Sequence, residues 1–301
     1  MRPLGRTGLL VSEFALGTWG LSGDGYAGGF GATDDEAERV VARAVDVGIT
    51  LVDTADAYGG GRAEAMLGRA LAAHPEVFVV TKGGTDRSTE PAQKRMDAGY
   101  LRVAVDRSRK RLARERLDVY LLHNPSPDAL RKGEATGTLA ALKKEGALGH
   151  WGVSVGDVDT ARAAIEQGAE VIELAYNLFQ SGDLHRISGD VLVDKVGVLA
   201  RSPLAYGLLA GEWPRGKEFP EDDHRAGRWT RAELERRMEQ LDALRFLVRG
   251  DVRTLRAAAV RYVLSNPLVS TVVLGPRSTR AGSRARSARR PRAACGRRRA
   301  P

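Results

Sequence analysis

Eight short apolar, β-branched runs recur along this chain, each followed by a longer amphipathic stretch, and that alternation limits the possible folds more than any other feature. The strand candidates lie at 14–17, 50–53, 77–81, 118–122, 150–153, 171–174, 198–201 and 270–274. Helical periodicity occupies 35–47, 62–72, 97–113, 134–145, 157–167, 187–196 and 254–265, and the intervening segments are long enough to return the chain for a parallel strand. Eight such strands favour a closed (β/α)₈ TIM barrel, an α/β fold in a single domain, over an open doubly wound sheet. The length agrees, because 301 residues with 43% hydrophobic content can bury one core of that size. Thr33 ahead of Asp34, Asp35 and Glu36 reads as the N-cap of the first helix, and Gly48 as its stop. A further helix at 231–248 lies in the long insertion between strands seven and eight, where insertions shape the C-terminal face of a barrel.

Charge and composition narrow the possible partners. No run of about 18 apolar residues occurs, and Met1-Arg2-Pro3-Leu4-Gly5 leads into no apolar signal segment, so a cytoplasmic protein without a membrane contact is expected. The single cysteine, Cys295, has no partner for an internal disulfide. A net charge of +9 raises the question of nucleic acid, but its distribution argues against that. Ten arginines and no acid lie from Arg277 onward, and setting them aside leaves 37 basic against 38 acidic residues. The barrel is therefore expected over 1–277 and an Arg-rich tail over 278–301. That tail lacks apolar periodicity, which fits either a natural disordered basic tail or a frameshifted end. The second is favoured, because a closing barrel helix is due there.

Two glycine-rich segments imitate nucleotide motifs. Gly23-Asp24-Gly25-Tyr26-Ala27-Gly28 matches G-x-G-x-x-G, yet it neither leaves a strand nor opens a helix directly. Gly59-Gly60-Gly61-Arg62 lacks the Gly-Lys-Ser/Thr ending of a phosphate loop and reads as a turn into helix two. The five histidines and one cysteine form no ligand-spaced cluster, so no metal site is expected.

Chemistry concentrates at the ends of successive strands. Asp53 ends strand two, Tyr58 follows five residues on, Lys82 ends strand three and His123 ends strand four. Singly, each has a structural explanation as a cap, a loop aromatic or a satisfied histidine. Together, on a barrel, all four face one side. A phenol with a reference pKa of about 10 is a poor acid near neutrality, and an adjacent ammonium is expected to lower it. Lys82 can supply that charge, Asp53 can hold Lys82, and His123 can orient a substrate oxygen. The set is a general acid with an electrophilic clamp, and it needs a hydride from a cofactor.

The segments Leu4-Gly5-Arg6-Thr7-Gly8, Leu16-Gly17-Thr18-Trp19, Val52-Asp53-Thr54-Ala55-Asp56-Ala57-Tyr58-Gly59, Val80-Thr81-Lys82, Leu121-Leu122-His123, Gly152-Val153-Ser154, Tyr176-Asn177-Leu178 and Ser202-Pro203-Leu204 resemble, in order and spacing, the aldo-keto reductase family. The resemblance runs from about residue 3 to 277. It implies a (β/α)₈ barrel that reduces a small-molecule carbonyl with NADPH, NADH being the less favoured donor, with Asp53, Tyr58, Lys82 and His123 catalytic. It also implies cofactor contacts at Thr18, Trp19, Asp53, Ser154, Glu173, Arg201, Ser202, Pro203, Leu204, Gly207, Gly275 and Arg277. This chain departs from the family pattern at several of these places. Val155 and Glu173 stand where many relatives have Asn and Gln, and Arg201 stands where many stack an aromatic on the nicotinamide. Ser154 as donor and Glu173 as acceptor still complement a carboxamide. Arg201 could cover the ring face or form a structural salt bridge. Ala281 and Ala285 replace the usual adenosine-gripping Gln and Asn, so the preference for NADPH rests mainly on Arg277. A cofactor-sensing regulatory barrel with little turnover and a damaged product of a frameshifted gene are the competing readings. Trp19, Tyr26, Trp151 and Trp213 are candidates for an apolar pocket wall; the substrate and the oligomeric state are not readable.

Overall fold

The computed structural model of the chain describes residues 1–23 and 33–276. Eight parallel strands run in chain order: β1 (Phe14–Gly17), β2 (Leu51–Asp53), β3 (Phe78–Gly83), β4 (Leu117–His123), β5 (Leu148–Ser154), β6 (Val171–Ala175), β7 (Gly197–Arg201) and β8 (Thr271–Leu274). Each pairs with the next, and β8 pairs with β1 through Val272 opposite Phe14 and Leu274 opposite Leu16. The sheet is thus a closed barrel with no free edge.

Strand alternation divides the core into two layers. Ala15, Leu51, Val80, Val119, Leu121, Val171, Leu199 and Val273 point inward and are buried against one another. Leu4 and Val11 join them from an N-terminal hairpin, Arg2–Pro3 paired with Leu10–Val11. That hairpin plugs the barrel where β7 begins: a Cβ on Gly197 would meet Leu4 Cδ1 at 2.8 Å. The alternate residues, among them Val52, Val79, Leu122, Val153 and Ile172, face the surrounding helices.

The outer helices follow the sequence periodicity at Asp34–Asp46, Arg62–Ala70, Ala98–Leu112, Glu134–Lys144, Val158–Glu166 and Leu255–Ser265. Thr33 accepts from the Glu36 amide as the N-cap. Two expected helices are shorter than the pattern implies. The segment at 187–196 is replaced by a pair, Gly182–Arg186 and Ser188–Val193, broken at Ile187, where Ser188 and Gly189 are weak helix formers. The segment at 231–248 is helical over Arg231–Ala243, started by a Thr230/Glu233 capping box, and continues only as a 3₁₀ turn at Arg245–Leu247. Phe246 in that turn is exposed, so no apolar anchor extends the helix.

A hairpin, Thr85–Asp86 with Gln93–Lys94, rises from the end of β3, and a one-turn helix, Pro127–Arg131, follows β4. Outside β1 and β8 lies an apolar groove of about 210 Å³, walled by Phe14, Leu16, Val40, Ile49, Leu274 and Pro276. The Gly-rich hexad from Asp24 on, Tyr26, Arg277 and the tail at 278–301 lie outside the described residues. Among the described residues no helix is long and apolar enough to cross a membrane.

Candidate active site

The pleat decides which polar residues meet. Inward parity in β3 passes from Val80 to Lys82, in β4 from Leu121 to His123, in β6 from Val171 to Glu173 and in β7 from Leu199 to Arg201. Asp53 holds the same parity in β2, two residues beyond Leu51. Register aligns the ring further, with His123 opposite Ser154 and Ser154 opposite Glu173. A layer of polar groups therefore sits on a floor of aliphatic side chains at the C-terminal end of the barrel.

Lys82 is the centre of that layer and is 1% exposed. Its Nζ donates to Asp53 Oδ1 at 2.5 Å and to the Thr54 carbonyl at 2.9 Å. Glu173 Oε2 lies 3.3 Å from the same nitrogen, an ion contact without an aligned hydrogen bond. The Tyr58 ring lies over the ammonium, its centroid 5.3 Å from Nζ, and meets the His123 ring edge-on at 6.0 Å and 83°. Backbone bonds from Thr54 N to Val80 O and from Asp56 N to Lys82 O fix the loop that carries Tyr58 to β3. Gly59, Gly60 and Gly61 follow with φ of 59, 62 and 95°, a left-handed succession that turns the chain into helix Arg62–Ala70 and that only glycine adopts without strain.

Burial sets the charge states. Desolvation pushes Asp53 up to about 7, Glu173 adds to this and Lys82 opposes it. Burial works against the Lys82 ammonium, yet the carboxylates of Asp53 and Glu173 outweigh it and hold it above the ordinary lysine range. His123 is pushed down to about 3 by burial, then by the cations Lys82, Lys94 and Arg201, so its imidazole is neutral. The expectation for Tyr58 is corrected here. Burial raises the phenol above its ordinary range, and Lys82 offsets only part of that because Asp53 and Glu173 counteract its charge.

The expected cofactor residues divide into groups. Ser154 and Glu173 are buried side by side. Arg201 is half-buried, donates to the Val155 carbonyl at 3.1 Å and forms no salt bridge among the described residues. Thr18 is buried, and its hydroxyl donates to the Asp53 carbonyl at 3.0 Å, so it braces β2. Trp19 packs edge-on against His224 at 4.5 Å. After Arg201, the run Ser202, Pro203, Leu204 leads into left-handed Ala205, Tyr206 and Gly207, with Ser202 itself at φ 55°. Asn177 Nδ2 steadies this turn through the Ser202 carbonyl at 3.0 Å. A Cβ on Gly207 would press on the Trp213 ring at 3.3 Å, and Gly275 sits 3.8 Å, measured from its would-be Cβ, from the Gly17 carbonyl.

Two expected pocket walls are placed elsewhere. Trp151 points outward into the helix-facing core, because its neighbours at 150 and 152 hold the inward parity. Trp213 joins Phe219 and Trp229 in the insertion after β7, beside a cavity of about 380 Å³ that none of the catalytic candidates lines. Sequence reasoning also missed Lys94, whose Nζ donates to the His123 carbonyl at 2.7 Å, and Asp56, a half-buried carboxyl that desolvation and Glu64 push up to about 7. The parity of Glu173 with Lys82 was the available signal for their ion contact.

A parallel eight-stranded barrel with this polar layer defines a class of oxidoreductases, and the chain belongs to the aldo/keto reductase family, whose sequence profile matches residues 13–281. Among its relatives is aldo-keto reductase YhdN of Bacillus subtilis, 27% identical over 280 residues, covering 90% of this chain and 83% of that protein. The 6-dehydroglucose reductase of Novosphingobium aromaticivorans is 28% identical over 299 residues, covering 91% and 85%. The solved glycerol dehydrogenase of Gluconobacter oxydans superposes with a TM-score of 0.78 at 29% identity, covering 92% of this chain and 86% of that one.

Proposed function

We propose that the protein reduces an aldehyde or ketone to the alcohol with NADPH as hydride donor and Tyr58 as proton donor. The observation that carries this reading is the Lys82 ammonium, held by Asp53 at 2.5 Å beneath the Tyr58 ring, with a neutral His123 edge-on to the phenol. A neutral imidazole donates a hydrogen bond to a carbonyl oxygen without surrendering its proton, which leaves Tyr58 as the acid. The raised phenol keeps its proton until an alkoxide, a far stronger base, forms against it. Lys82 then stabilises the tyrosinate left behind.

The residues present suit a nicotinamide. Ser154 and Glu173 offer a donor and an acceptor side by side, and Glu173 Oε2 is a buried oxygen lacking a hydrogen bond, the complement of a carboxamide NH₂. Arg201 would cover one face of the ring, and the turn from Ser202 to Gly207 would follow the pyrophosphate, with Gly275 and Arg277 toward the adenosine. When bound, the cofactor supplies the hydride that no side chain here can.

The test is a panel of aldehydes, ketones, sugars and pyridoxal, followed by loss of NADPH absorbance and repeated with NADH. The sugar-derived carbonyl and the polyol in the relatives' names make polyhydroxylated substrates the first choice. Turnover of at least one carbonyl, faster with NADPH, is expected. Tight NADPH binding with no turnover across the panel would instead establish a cofactor-sensing barrel.

A further inference from the structure

We infer that Glu173 is a second counter-ion of Lys82, and that the two carboxyls it forms with Asp53 across the barrel store one exchangeable proton beside Tyr58. The inference rests on the reading of Tyr58 as proton donor only for its kinetic consequence; the stored proton itself follows from the geometry.

Three buried groups from three strands meet around one nitrogen. Asp53 from β2 and Glu173 from β6 are both within 3.3 Å of one nitrogen, Lys82 Nζ from β3, and their relative exposures are 3%, 1% and 1%. Two ionised carboxylates against one ammonium leave a net negative charge in a low-dielectric pocket, which is unfavourable unless a proton or a cation is added. The other groups facing Asp53 do not remove the imbalance. His123 from β4 is neutral, and Tyr58 from the β2 loop is protonated. Arg201 from β7 is half-exposed, spends one donor on the Val155 carbonyl and exerts the smallest of the pulls on Asp53. Lys82 is already committed to Asp53 and Thr54, and Glu173 Oε2 has no hydrogen bond. One proton is therefore shared by the two carboxyls, and burial and Glu173 push Asp53 up to about 7.

The protonation state sets how readily Tyr58 gives up its own proton. Below the midpoint the three groups sum to neutrality, and the tyrosinate formed as the Tyr58 O–H bond breaks and the alkoxide O–H bond forms meets little opposing charge. Above it, the extra negative charge opposes the tyrosinate, so reduction slows and the reverse, alcohol-oxidising direction gains. Glu173 thereby acts through Lys82 and Asp53 as a positioning residue, in addition to any contact with a cofactor.

The experiment titrates the full chain without cofactor by infrared difference spectroscopy, following the carbonyl stretch of a protonated carboxyl, in Asp56→Asn, which removes the neutral-range signal of that carboxyl, and in the same chain with Glu173→Gln or Asp53→Asn added. The Asp56→Asn chain should show one buried carboxyl losing its proton near neutral pH. Glu173→Gln should shift that loss down by at least about one pH unit, and Asp53→Asn should abolish it. In parallel, kcat/KM for reduction in wild type should rise as pH falls through the same midpoint, and Glu173→Gln should flatten that rise. A neutral-range carboxyl signal that is unchanged in Glu173→Gln, or that survives in Asp53→Asn, would overturn the inference. If no carbonyl is turned over at any pH, the proposed function fails, while the infrared titration still decides the fate of the stored proton.

Discussion

The two halves of the barrel mouth differ in how they are built. On the β2–β4 side, Asp53, Lys82 and His123 end consecutive strands, and Tyr58 is tied back to β3 within one loop, so every member is fixed by local chain. On the β6–β8 side, Glu173 acts across the barrel on Lys82, Arg201 is steadied by the Val155 carbonyl just beyond β5, two strands away, and the turn after it depends on packing within a long insertion. The first half is made of contacts within one loop or between neighbouring strands, and the second of contacts that skip a strand, cross the barrel or run through an insertion. Substitutions in the first half should therefore abolish chemistry, and those in the second should shift its affinity or pH dependence.

The largest effect is expected at Tyr58 and Lys82. Tyr58→Phe should cut kcat by about 10²–10⁴-fold while NADPH binding is nearly retained, because only the proton donor is removed. Lys82→Met should be at least as damaging, since it leaves Asp53 and Glu173 buried with no cation between them. Steady-state kinetics beside fluorescence titration of NADPH would separate the two outcomes, and a Tyr58→Phe enzyme that keeps most of its kcat would break the comparison on its first side. A smaller effect is expected from Arg201→Leu. Loss of one charged hydrogen-bonding group should raise the dissociation constant for NADPH by about tenfold, with kcat changed less. A collapse of kcat at unchanged affinity would place Arg201 with the catalytic half.

The smallest effect on chemistry should come from the opposite end of the strands, where Glu170 bonds His150 at 2.7 Å and Lys143 at 2.7 Å. Burial raises this carboxyl, yet those two partners outweigh it and pull the group down to about 2. Because the folded value lies below the unfolded one, the stabilisation is complete above the ordinary glutamate range and is lost as pH falls from about 4 toward 2. Glu170→Gln should cost about 1–3 kcal/mol at neutral pH and flatten the acid limb of Tm against pH, with turnover little changed. An unaltered acid limb would mean that the pair stabilises nothing.

The same local and long-range division explains what could be read in the sequence. Strand ends and helix caps are short-range signals: Thr33 caps its helix as read, and the alternation that identifies β3 also turns Lys82 inward. The break at Ile187 reflects the weak helix formers Ser188 and Gly189, and the end after Ala243 reflects the exposure of Phe246, neither of which periodicity conveys. The outward turn of Trp151 follows from a one-residue parity that composition cannot reveal. The raised phenol of Tyr58 escapes the sequence for a related reason. Its neighbour Lys82 is legible by spacing, but the desolvation and the second carboxylate that oppose Lys82 arise only once β6 is folded across from β3.

The proposed reduction passes a hydride from the cofactor to a carbonyl carbon above Tyr58. Its most direct measurement uses NADPH stereospecifically deuterated at C4 of the nicotinamide, with the first carbonyl found to turn over, and mass spectrometry of the alcohol. One deuterium on the former carbonyl carbon from one of the two C4 epimers, and none from the other, is the predicted result. Consumption of NADPH without deuterium in the alcohol from either epimer would contradict the account.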